Sequence, residues 1–182
     1  MKKSRVLLSI LGLLAAMACT KKDTKFLITE NGIGALSPAS DLNDLEAIFA
    51  QDSIVKDTLK GALGSGTNKI MVFEKGGAPL LQLTPNTDSI PGIDIVRVLD
   101  KRYATKKGIS LNSTFKDIQN VYGIKKIVTT MSSVVIFPKS STLYFTIDKE
   151  ELPASLRYTN TSIEAVQIPD DAKIKYVMLG WD

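Results

Sequence analysis

Apolar residues follow two different rhythms along this chain. In SDLNDLEAIFA, Leu42, Leu45, Ile48 and Phe49 recur at helical spacing, as do Phe115, Ile118, Val121 and Tyr122 in STFKDIQNVYG. Runs such as IDIVRV and KIKYVML alternate instead, the pattern of a strand with one buried face. VFEKGGAPLLQLT predicts a hairpin turning at Gly76-Gly77, and SVVIFPKSSTLYFTID a counterpart turning at Ser140-Ser141. Ser40 is the expected cap of the first helix, Thr114 with Asp117 resembles a capping box, and Gly123 is a natural helix stop. Helices of about three turns are too few to cover both faces of a parallel sheet. The expected class is therefore α+β, a mostly antiparallel sheet with two short helices packed on one face.

The pattern also repeats. The two helical stripes match at all four positions with an offset of 73 residues, and Ile54-Val55 matches Ile127-Val128 at the same offset. KIMVFEKGG (69–77) lies against SVVIFPKSS (133–141) at offset 64, and IDIVRVLD (93–100) against IEAVQIPD (163–170) at offset 70. Upstream, Thr29, Gly32 and Ile33 match Thr105, Gly108 and Ile109 at offset 76. Four blocks in one order predict an internal tandem repeat, with halves of about 26–100 and 101–182.

The N-terminus has its own logic. Lys2, Lys3 and Arg5 precede the apolar run VLLSILGLLAA, and Ala16-Met17-Ala18 precede Cys19. That is the layout of a signal peptide, and the run is shorter than the roughly 20 residues a membrane-spanning helix needs. We expect residues 1–18 to be the signal, with cleavage between Ala18 and Cys19. Cys19, the only cysteine, would then carry lipid, and residues 19–25 would form a polar tether to one globular domain at 26–182. Anchoring to a membrane in the cell envelope, facing the periplasm or the cell surface, follows from that reading.

Charge then changes little. The chain has 23 Lys+Arg against 19 Asp+Glu, but three of those bases leave with the signal, so nucleic acid is not an expected partner. Histidine is absent, which removes the commonest general base and metal ligand, and lipidation would consume the one thiol. We therefore expect no cofactor, no metal site and no catalytic residues. Gly61 and Gly66 have phosphate-loop spacing, but Thr67 occupies the place of the essential lysine, so a loop is expected there. Asp41 with Asp44 reads as a solvated helix face, Asp148, Glu150 and Glu151 as acids before a helix, Asp170-Asp171 as a turn, and Lys139-Ser140-Ser141 as part of a hairpin. Trp181 and Tyr176, in the terminal strand, read first as core or edge packing; they are also the candidate binding aromatics, because Trp181 stands at the chain end where exposure is expected.

Two resemblances add to this. The signal, Cys19, and the stretches ITENGIGALSPASDLNDLEAIFAQDSIVKD, GISLNSTFKDIQNVYG, YFTIDKEELPA and IPDDAKIKYVMLGW resemble lipoproteins of the Bacteroidetes, especially flavobacteria. That group implies no catalytic residues. In that phylum acids after the lipid cysteine direct surface export, whereas here Lys21 and Lys22 come before Asp23. Asp52-Ser-Ile, Asp57-Thr-Leu and Asp88-Ser-Ile resemble the phylum's O-glycosylation tripeptide. Gly108, Ser113-Thr114, Asp117 and Tyr122-Gly123 resemble tandem α+β modules of the outer-membrane assembly lipoprotein and β-lactamase-inhibitor type, which implies binding rather than catalysis. The leading expectation is a non-catalytic module for an envelope protein partner. The alternatives are a small-ligand or lipid carrier and, behind it, a carboxylate-dependent hydrolase with two acids flanking a cleft.

Overall fold

A computed structural model of the chain describes residues 24–57, 69–87 and 91–181. The expected signal, Ala18, Cys19, Lys21, Lys22, Asp23, the glycine-rich loop and the tripeptide at Asp88 lie outside the described residues.

Alternation and hairpin turns produce the sheet the sequence predicts. Its eight antiparallel strands are β3 (Asp52–Asp57), β4 (Lys69–Glu74), β5 (Pro79–Pro85), β6 (Ile93–Val98), β8 (Ile124–Thr129), β9 (Ser133–Pro138), β10 (Leu143–Asp148) and β11 (Ile174–Gly180). Their spatial order is β3-β4-β5-β6-β11-β10-β9-β8. Two four-stranded meanders therefore meet at the β6–β11 pair, and each runs outward to an edge. A small second sheet joins β1 (Leu27–Thr29), β2 (Gly32–Ile33) and β7 (Ala104–Thr105). Few and short helices complete an α+β fold.

The β4–β5 turn rests on Gly76 and Gly77, whose φ values of 120° and 100° exclude ordinary side chains. Its counterpart between β9 and β10 places Ser140 at φ 50°. The first helix is shorter than expected: a 3-10 turn, Leu42–Asp44, runs into α1 (Leu45–Ile48). Asp41, not Ser40, caps it by accepting the Asn43 N–H, while the Ser40 hydroxyl accepts from the Ser37 N–H. Helix α2 (Phe115–Tyr122) follows the predicted signals. The Asp117 carboxylate accepts from the Thr114 N–H at 2.8 Å, and Gly123 ends the helix at φ 65°.

One repeat block does not keep its partner's structure. IEAVQIPD forms a 3-10 turn at Ala165–Gln167, in which the Gln167 amide oxygen accepts the Glu164 N–H. The strand standing opposite β6 is β11, further along. Ile163 and Ile168 are buried and Val166 is 93% exposed, so the segment's apolar residues anchor a loop rather than alternate. The core lies between the sheet's inner face and a layer containing α1 and α2. Leu45, Phe115 and Ile118 enter it from the helices, and Val72, Leu81, Val96, Val134, Phe145 and Leu179 from the sheet. Lys25, placed by the sequence at the end of the tether, is already bound to the domain, since its Nζ donates to Asp52 at 2.8 Å.

Candidate functional site

Strand alternation gives the sheet a second face, and its composition is unusual. One register row crosses all eight strands: Val55, Met71, Gln82, Arg97, Met178, Tyr144, Phe137 and Lys126. A parallel row carries Tyr176, Thr146, Val135 and Val128, and Phe73 and Ile95 lie two residues along their strands from Met71 and Arg97. On the inner face Val72, Leu81, Val96, Val177, Phe145 and Ile136 are buried, and the edge-strand residues Ile54 and Ile127 are partly so. On this outer face only Thr146 is buried, at 6% exposure, and Val55 reaches 53%. An antiparallel sheet with one solvated face normally puts polar residues there. Here that face carries methionine, valine, isoleucine, phenylalanine and tyrosine.

The rings are organised. Tyr144 stacks on Phe137 with centroids 5.7 Å apart and planes 20° apart. Near the centre, the Arg97 guanidinium lies 4.3 Å above the Tyr176 ring. Its Nε is buried and has no hydrogen-bond partner among the described residues. Charge on this face is uneven. Lys69 stands across from Asp57, and Lys175 is ion-paired with Asp148, which lowers the acid's pKa and raises the lysine's chiefly through their hydrogen bond. Arg97 and Lys126 have no ion-pair partner among the described residues.

The predicted aromatics therefore separate. Tyr176 belongs to the outer face, beneath Arg97. Trp181 packs partly buried against the core, as its packing reading expects and unlike the exposed binding ring, with its indole nitrogen buried and without a partner among the described residues. The remaining members of the face were missed by sequence reasoning. A signal existed: KIMVFE and SVVIFP are continuous apolar runs, and a run without polar alternation means that both faces are apolar.

Elsewhere the acids are engaged locally. Asp148 caps a 3-10 turn at Lys149–Glu151 by accepting the Glu150 N–H, and the Glu151 carboxylate accepts the Lys173 N–H. Asp170, in a turn, pairs with Lys116 at 2.7 Å. Among the described residues no group of three or more Asp, Glu, Cys or His is placed to hold a metal ion. Clefts open on the surface of the described residues. One of about 360 Å3 lies between Thr29, Lys107 and Tyr122, one of about 400 Å3 beside α1 at Phe49 and Tyr103, and one of about 520 Å3 at Met131, Arg157 and Tyr158. Each is lined by charged as well as apolar groups. No helix among the described residues is long and apolar enough to cross a membrane.

No family model matches the chain. The DNA mismatch repair protein MutL of Halothermothrix orenii is 32% identical over 92 residues, which are 50% of this chain and 13% of that protein. The chain thus spans a small part of the curated relative it matches. Among solved structures, the uncharacterized protein yfeY from Escherichia coli superposes with a TM-score of 0.51 at 14% identity, covering 86% of this chain and 99% of that one. The likeness to yfeY is one of fold.

Proposed function

We propose that this chain is a lipid-anchored protein of the cell envelope whose domain binds another protein, without catalysis, through the outer face of its eight-stranded sheet. The observation that carries the reading is the outer face itself: Val55, Met71, Phe137, Tyr144, Tyr176 and Met178 remain exposed or only partly buried among the described residues, with Gln82 and Arg97 between them at the centre. A contiguous apolar patch rimmed by polar residues marks an interaction surface, and Tyr, Met and Arg are the residues interfaces favour. Anchoring at Cys19 rests on the N-terminal pattern, and membership of the Bacteroidetes lipoproteins on the stretches quoted above. We read the domain as a duplication because registers agree: Val72 pairs with Leu81 and Ile136 with Phe145, both members shifted by 64. The 13% of MutL that is matched carries no repair role to this chain. A protein partner is favoured over a small ligand because the apolar residues spread across the sheet face, whereas the clefts are open and partly charged rather than predominantly apolar.

Two experiments test the reading. Palmitate labelling of the full-length protein should disappear in Cys19→Ser; equal labelling would remove the lipid anchor. Crosslinking in cells should yield a specific adduct that is lost in the outer-face variant Met178→Lys and kept in the helix-face variant Gln119→Lys. Equal loss or equal retention in both variants would contradict binding through the sheet.

A further inference from the structure

Arg97 is the one charged side chain at the middle of the outer face, and what surrounds it specifies what it binds. Gln82 and Met178 stand directly across from it on the two neighbouring strands, and Tyr176 lies beneath the guanidinium. Its Nε is buried, with no hydrogen-bond partner among the described residues. A buried donor without an acceptor costs free energy, and the guanidinium carries further N–H donors beyond Nε in one planar fork. Such a planar fork matches a carboxylate bidentately. Apolar neighbours would exclude water and strengthen such a pair once the face is covered.

Resting on the outer-face reading, we infer that the partner is a protein that presents an aspartate or glutamate from within an apolar surface, and that Arg97 receives this carboxylate at the centre of the interface. Charge complementarity supports an acidic partner, because among the described residues the face's acids Asp57 and Asp148 stand opposite Lys69 and Lys175, which leaves Arg97 and Lys126 in excess. It argues against a second copy of this chain. Two copies packed face to face about an axis near the β6–β11 pair would bring two Arg97 guanidiniums together.

The test uses a photoreactive amino acid at Phe137 in the full-length protein in its native cells. The crosslinked peptide is mapped and its carboxylates are identified. Arg97→Glu should reduce the adduct at least about tenfold, the range expected when a central interface charge is lost. Replacing the mapped partner acid with arginine should restore it. Arg97→Gln, with its thermal melt, separates this loss from unfolding. An undiminished adduct in Arg97→Glu, or a crosslinked surface without an acid, would overturn the inference while leaving protein binding in place. An adduct with a second copy would overturn the acidic-partner assignment. The absence of any adduct from the outer face would overturn both readings.

Discussion

Arg102 holds two carboxylates at once. It meets Glu74 through two hydrogen bonds of 3.1 and 2.8 Å and Asp100 at 2.7 Å, and its guanidinium lies 4.2 Å from the Phe26 ring. Its hydrogen bonds are the main reason that Glu74 and Asp100 sit below their ordinary pKa values. Both acids therefore keep their charge to lower pH when folded than when unfolded. The unfolded state takes up more protons as pH falls below about 4.5, so stability is complete above that value and is lost on further acidification. Arg102→Gln should flatten this acid limb in denaturant titrations between about pH 5 and 2.5; an unchanged limb would place the acid sensitivity elsewhere. Lys149 is a second test. It is 3% exposed, and its Nζ donates to the Thr159 carbonyl at 2.6 Å. Lys149→Met should cost roughly 1–3 kcal/mol in urea unfolding, the penalty of stranding a partly buried acceptor. None of these pairings was legible in the sequence. Arg102 and Glu74 are 28 residues apart, and only the sheet brings them together.

Elements were more legible where local chemistry decides them. Asp117 at the start of α2, Gly123 at its end and the glycine pair in the β4–β5 turn all act where the sequence places them. Asp117→Ala should cost about 1 kcal/mol and speed amide exchange in α2. Gly123→Ala would force a side chain into a left-handed position at φ 65° and should cost roughly 1–3 kcal/mol by the same unfolding assay. Local reading failed where tertiary packing decided. IEAVQIPD has a strand's composition, yet its apolar pair Ile163 and Ile168 is five residues apart and fits a loop folded against the core, with Val166 outside. The first helix is short for a related reason. Asp41 starts a tight 3-10 turn, and Leu45 with Phe49 reaches the core within the single helical turn that follows.

At the scale of the whole molecule, the order β3-β4-β5-β6-β11-β10-β9-β8 joins the two meanders edge to edge and makes one continuous outer face from both. Leu45 and Ile118, at matching positions of the two helical stripes and both 0% exposed, should be equally costly to truncate. Each alanine variant should lose about 2–5 kcal/mol in one cooperative transition, whereas two separate transitions would mean that the meanders fold independently. The class and the inner face were legible because burial there follows a period of two. The outer face was not, because its meaning depends on strand order, which places Arg97 beside Met178 although 81 residues separate them. The central claim is that this face is covered in the cell, and thiol accessibility tests it most directly. Cysteines at outer-face Val55 and Met178, and at helix-face Gln119, would be reacted with N-ethylmaleimide in intact cells and again after purification. Protection of residues 55 and 178 in cells only, with 119 labelled equally in both, is the predicted result. Equal labelling of all three in both settings would contradict it.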